Sequence, residues 1–198
     1  MRYKEVTLQI IPKCTPLIMR HCSKCNRKMG FYCSEKFRVN ANQTKIDIWL
    51  IYKCQKCDTT CNLTVKRGIK PHDLSADMFD KFTNNDTELA WEYAFDKHFL
   101  RQNNCVVSYE NIEYSVDDDG MLPDGDSPLL IHIKSLYKFD LKLSAFLAGV
   151  LGVSNTQIKK YVDEGLITAE CNIMKYKIRA DISVFLSVKG THLSTTMQ

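Results

Sequence analysis

No stretch of this chain is apolar for long enough to cross a bilayer. Its longest uninterrupted runs, such as Ile48 to Tyr52 and Phe146 to Val150, fall far short of the ~20 residues a spanning helix needs. The amino terminus, Met1-Arg-Tyr-Lys-Glu, lacks the following apolar core of a secretory signal. Also missing are a glycine-rich phosphate loop, a Ser/His/Asp set in a recognisable spacing and a paired-carboxylate pocket, which places enzymes last among the function classes. The apolar share of 44% and charged share of 25% exclude a disordered chain. A cytoplasmic globular protein of 198 residues is expected, as one large domain or two small ones.

Cysteine, by contrast, is plentiful, with nine in the chain. In a reducing compartment thiols are kept for metal or for packing. Four of them form two pairs, Cys22-Ser-Lys-Cys25 and Cys54-Gln-Lys-Cys57. Two residues between cysteines let both sulfurs point back at one centre, so the four thiolates can close a tetrahedron around a structural zinc ion, as in a zinc ribbon. A disulfide framework and a dithiol redox site are the competing readings. The first wants a secreted chain, and the second a single Cys-x-x-Cys in a βαβ unit. Cys14, His21, Cys33, Cys61 and His72 stand outside the pairs; packing is the expected role of Cys33 and Cys61.

Charge is unevenly spread. Residues 1–70 carry 15 Lys/Arg against 4 Asp/Glu, net +11; residues 71–137 carry 4 against 14, net −10; residues 138–198 carry 8 against 5, net +3. A basic ribbon suits nucleic acid, but a neighbouring segment of nearly equal and opposite charge is more simply read as its docking partner.

Periodicity divides the chain further. Tyr3 to Ile11, Phe31 to Val39, Lys45 to Lys53 and Asn62 to Lys66 read as strands. The third is apolar on both faces, with Ile46, Ile48, Leu50 and Tyr52 on one and Trp49 and Ile51 on the other, and so is expected to be covered on both sides. Asp73 to Phe82 and Asp86 to Arg101 have helical spacing with Asp73 and Asp86 as N-caps, and His98 is expected to be partly buried. Cys105 to Val116 and Leu129 to Ile133 are strand-like. The loop Ser115 to Asp126 between them follows the calcium-loop template only in part, and an acidic turn is expected. Near the carboxy terminus a helix ending at Gly152 is followed by one opened by Ser154, whose Gln157 completes a capping box, and then by short strands at Leu166–Ala169, Lys175–Ile178 and Ile182–Leu186.

The segment Lys142-Leu-Ser … Leu-Gly-Val-Ser154 … Ile158-Lys-Lys-Tyr-Val … Gly165-Leu-Ile resembles the S4 RNA-binding fold. That resemblance implies that Lys142, Lys159 and Lys160, with Lys175, Lys177 and Arg179, track the backbone of structured RNA. The same residues also resemble a DNA-binding helix-turn-helix with a wing, where Asn155, Thr156 and Gln157 would reach base edges of duplex DNA. The cysteine pairs, Phe37-Arg-Val-Asn-Ala-Asn42, Asp47-Ile-Trp-Leu-Ile-Tyr52 and Asn85-Asp86 … Tyr93-Ala-Phe-Asp96 together resemble an uncharacterised bacterial family, domain of unknown function ten sixty-two. It implies a bacterial cytoplasmic protein and supplies no activity.

The sequence therefore points to an α+β protein. A zinc-ribbon-like antiparallel sheet with covering helices is expected over residues 1–136 (basic 1–70, acidic helical 71–136), an S4-like or helix-turn-helix module over 137–190, and a tail over 191–198. The expected site residues are Cys22, Cys25, Cys54 and Cys57 for zinc, and Lys142, Asn155, Lys159 and Lys160 for nucleic acid. A zinc-stabilised, non-enzymatic RNA-binding protein is the leading function; a DNA-binding regulator, or an adaptor without nucleic acid, is the alternative.

Overall fold

The computed structural model describes residues 3–42, 44–110, 112–118 and 127–187. Its elements run β1 (Lys4–Pro12), β2 (Leu17–Cys22), β3 (Arg27–Ala41), β4 (Ile46–Cys54), β5 (Thr60–Ile69), a short 3-10 turn (Pro71–Asp73), α1 (Ala76–Thr83), α2 (Thr87–Phe95) and α3 (Lys97–Gln102). They continue with β6 (Val106–Ser108), β7 (Tyr114–Asp118), β8 (Leu129–Ser135), α4 (Leu143–Val150), α5 (Asn155–Asp163), β9 (Ile167–Ala169) and β10 (Ile182–Leu186). The fold is mixed α+β, with two five-stranded sheets among the described residues.

The chain forms two compact units, Cys14–Ile112 and Met1–Lys13 with Glu113–Gln198. This differs from the boundary expected at residue 136, and the reason lies in β1. Rather than joining the strands that follow it, β1 pairs in parallel with β8 (Val6 opposite Ile131) and antiparallel with β7 (Ile10 opposite Val116). The expected 191–198 tail and the end of the acidic loop, residues 119–126, lie outside the described residues.

In the unit Cys14–Ile112 the strand order is β5-β4-β3-β2-β6, all antiparallel. Alternation on β4 decides which face is core: Ile46, Ile48, Leu50, Tyr52 and Cys54 are all buried, and Asp47, Trp49, Ile51 and Lys53 on the other face only half so. The helices cover one face alone. Phe82, Leu89, Ala90, Ala94, Phe99 and Leu100 pack against Ile18, Phe31, Phe37, Ile48, Leu50 and Leu63, with Phe37 edge-on to Phe82 at 5.0 Å between ring centroids. Each buried Phe, Leu or Ile side chain among these is worth ~1.5–3 kcal/mol. The expected cover on both faces of β4 is thus met on one; the second face carries the strand's half-buried aromatic and aliphatic side chains.

Two helix expectations are also corrected. Ser75, not Asp73, N-caps α1, accepting from Met78 N at 3.3 Å. The helix expected from Asp86 to Arg101 breaks at Asp96, whose carboxylate accepts from His98 N at 2.7 Å and so starts a new helix. The restart turns His98 outward, where it is exposed and Phe99 is buried. Asp86 caps α2 as expected, through Leu89 N at 2.8 Å.

The other unit carries the order β7-β1-β8-β10-β9. One face of its sheet (Val6, Leu8, Ile10, Ile131, Ile133, Val184) is buried, as are Leu143, Phe146, Leu147 and Val150 of α4 and Ile158 of α5. Ser154 caps α5 through Gln157 N at 3.1 Å. No strand forms at Lys175–Ile178: Asn172 draws Lys175 N and Tyr176 N into a turn, and only Lys177 bridges back to Lys142.

Candidate metal centre

Both cysteine pairs come to one end of the sheet because of how three strands are laid. The first pair closes the β2–β3 hairpin. β3 then runs the length of the sheet, and β4 returns antiparallel so that Cys54 stands opposite Phe31, four residues past the start of β3. Gln55 N donates to Gly30 O at 3.0 Å and ties the second turn to the first hairpin. The two turns share their local chemistry: Asn26 and Asp58 each follow the second cysteine of a pair with positive φ, 51° and 56°. Asn and Asp tolerate that left-handed conformation best among residues with a side chain.

The four sulfurs lie within 4.8 Å of one another. Cys22 Sγ is 3.5 Å from Cys57 Sγ and Cys25 Sγ is 3.9 Å from Cys54 Sγ. Tetrahedral zinc with Zn–S of ~2.3 Å has sulfur–sulfur edges of about 3.8 Å, and the two contacts bracket that value. All four cysteines are free thiols, Cys22 and Cys54 buried, Cys25 and Cys57 half-buried. The competing disulfide framework therefore finds no bond among them.

The cluster holds protons unequally. Hydrogen bonds from the Thr59 hydroxyl, at 3.1 Å, and the Thr59 amide draw the Cys57 thiol down to about 6. Cys25, hydrogen-bonded first of all to Cys57 and secondly desolvated, is pushed up to about 12. One sulfur is thus prepared as a thiolate near neutral pH, and an arriving cation must displace a proton from Cys25.

A second thiol group lies beside the centre. Cys33 and Cys61 stand on either side of Tyr52 in the β3–β4–β5 ladder. Cys61 packs against the core as expected and has a polar partner besides: Arg20 Nη1 donates to its Sγ at 2.9 Å while Nη2 donates to Asn103 O at 3.0 Å. The Asn103 carboxamide in turn serves the free edge of β5, accepting from Thr64 N at 2.7 Å and donating to Thr64 O at 3.1 Å. Arg20 and Asn103 had no sequence signal, since their partners are 41 and 39 residues away. Cys14 is exposed, and neither it nor His72 joins a group of metal ligands among the described residues.

The residues expected to meet nucleic acid are placed less tellingly. Lys142 precedes α4; Asn155, Lys159 and Lys160 are exposed on α5. Lys160 is 3.8 Å from Glu164, and Lys177 is held at 2.7 Å by Asp140. Across the other unit's sheet, His132 Nδ1 lies 2.9 Å from Ser183 Oγ and His132 Nε2 3.4 Å from Glu5 Oε2. His132 and Ser183 line a groove of about 870 Å³, and separations of 51 and 127 residues hide the row from any motif search.

Fold and site together define a mixed α+β protein with a four-cysteine candidate metal centre at one sheet end. Residues 39–173 match the family described as "Protein of unknown function (DUF1062)", and the chain belongs to that family. No curated protein and no solved structure matches it. No helix among the described residues is long and apolar enough to cross a membrane.

Proposed function

We propose that the chain is a zinc-stabilised, non-enzymatic RNA-binding protein in which Cys22, Cys25, Cys54 and Cys57 form a closed structural zinc site of the zinc-ribbon type. The observation that carries the metal is the convergence of four thiols from two like turns within 4.8 Å. Four protein sulfurs fill the coordination sphere of zinc and leave no position for a reacting water, so the ion's work is folding. Four thiolates on a divalent cation leave two surplus negative charges, and the exposed Lys24, Arg27 and Lys56 in and beside the turns offset them. Such sites bind with ~10–16 kcal/mol, comparable with the ~5–15 kcal/mol stability of a whole domain. Native mass spectrometry of protein purified from medium supplied with zinc and iron should find one zinc per chain. Finding iron, or no metal at all, would refute the assignment.

The RNA half of the proposal rests on the net +11 of residues 1–70 and on the S4-like pattern from Lys142 to Gly165. Filter binding of the zinc-loaded full chain should retain total RNA in preference to random duplex DNA. Retention of duplex alone favours the DNA-binding regulator, and retention of neither favours an adaptor. The absence of catalysis is most sharply tested at Ser183. Its strand is paired on both sides, with β8 and with β9, so its neighbouring backbone N–H groups are committed to ladders rather than gathered around an oxyanion. A fluorophosphonate probe should leave Ser183 unlabelled.

A further inference from the structure

The geometry points to the face of the β3–β4–β5 sheet turned away from the helices as a platform for single-stranded RNA; this deepens the RNA-binding reading and rests on it. The register lays out the face in three rows. Tyr32, Lys53 and Thr60 form the first, Lys36, Ile51 and Asn62 the second, and Arg38, Trp49 and Thr64 the third. A bulge between Cys33 and Lys36 carries two extra residues, and after it Lys36 and Arg38 remain on the face of Tyr32 while Phe37 returns to the core.

Three features of this face fit one ligand chemistry. Tyr32, 36% exposed, and the half-buried Trp49 stand four residues apart in register, about 13 Å along the strands, with Ile51 between them. Aromatic faces so placed stack unpaired bases whatever their identity. Lys36, Arg38 and Lys53 flank those side chains, and among the described residues no carboxylate pairs with them. The acids nearby point to neutral partners instead: Asp58 accepts from the Tyr32 hydroxyl at 3.0 Å, Asp47 from Gly68 N at 2.7 Å and Glu35 from Trp91 Nε1 at 2.7 Å. The cations are thus left for phosphate. Thr60, Asn62 and Thr64, exposed and neutral along β5, supply the hydrogen-bonding row that a ribose 2′-hydroxyl needs. The platform lies in the unit Cys14–Ile112, whereas the S4-like pattern lies in the other unit.

The zinc-loaded full chain is titrated with a labelled twelve-nucleotide single-stranded RNA of mixed sequence, following anisotropy and tryptophan emission together. Binding should quench emission, and the quench should vanish in Trp49→Tyr, where Trp91 still emits. Three phosphate contacts should weaken binding about 20-fold between roughly 50 and 200 mM salt. Lys36→Glu with Arg38→Glu should lower affinity at least ~10-fold, and Trp49→Thr about as much. The quench at saturating RNA should persist in Lys159→Glu with Lys160→Glu, whatever those two substitutions take from the affinity. Each variant is first shown to hold one zinc and an unchanged circular dichroism spectrum; should Trp49→Thr fail to fold, the charge reversals decide alone. RNA binding abolished at Lys159 and Lys160 but indifferent to Lys36 and Arg38 overturns the platform and leaves the RNA-binding reading standing. Tighter binding of single-stranded DNA or of duplex overturns the platform as well. No binding of any RNA removes both.

Discussion

Cys54 ends the central strand with its sulfur wholly buried, so serine there removes a ligand and leaves a polar group where water cannot reach. Cys54→Ser should lower the zinc content from one per chain to none and abolish the cooperative melting of the unit Cys14–Ile112, as read by metal analysis and hydrogen exchange. The Tyr52 hydroxyl is also buried, but makes no hydrogen bond and is flanked by the Cys33 and Cys61 thiols. Burial first of all, and then the neighbouring Cys33 and Cys105 thiols, push its ionisation well above the usual tyrosine range. Tyr52→Phe should therefore stabilise the protein by about 1 kcal/mol, or ~2–4 °C in Tm. Metal binding should depend on pH with a definite sign. Because Cys25 sits at about 12 and binds zinc only as thiolate, its proton competes throughout the working range. Zinc affinity should fall at least tenfold for each unit the pH is lowered, Cys25 alone accounting for one factor of ten and every other ligand thiol still protonated adding to it. Below about 6, where Cys57 also protonates, the fall should steepen; chelator competition at a series of pH values checks both. The four cysteines were legible from spacing because a ligand turn is local. Arg20 on Cys61 was not, for nothing local marks a guanidinium that reaches 41 residues along the chain.

Among elements, local rules succeeded where one residue's side chain settles the matter. Ser154 caps α5 and Asp86 caps α2, as their positions in the sequence imply. They failed where two signals overlapped. The run Asp86 to Arg101 keeps a helical pattern, yet Asp96 caps a fresh start within it and re-phases everything after. Likewise the side chains of β4 read as two apolar faces, but the strand has one core, because Trp49 and Ile51 face a surface that the helices do not cover. Ser154→Ala should cost ~1 kcal/mol by leaving the Gln157 amide without its partner, lowering the melting of the unit that contains α5 by about 4–8 °C without altering zinc content. An equal loss of metal would mean that the two units do not respond separately.

The molecule as a whole divides at places no composition shift announces. The charge boundaries at 70 and 137 suggested basic and acidic halves, but the helices meet their sheet through Phe82, Leu89 and Phe99 rather than through ion pairs of Lys36, Arg38 or Lys53. What does set the division is parallel pairing between β1 and β8, a contact too distant for periodicity to reveal. Chelation should consequently expose the amides of Cys14–Ile112 to hydrogen exchange while β1, β8 and β10 stay protected.

That pairing also orders events on the ribosome. β1 is made before the unit Cys14–Ile112, yet its partners β7 and β8 begin at Tyr114 and Leu129, by which time Cys14–Ile112 has been synthesised in full. At ~5–20 residues per second, Glu113 to Leu186 takes about 4–15 s to add. Throughout the synthesis of Cys14–Ile112, β1 is therefore an unpaired edge, which gains its first neighbour when β7 emerges from Tyr114 and its second when β8 follows from Leu129.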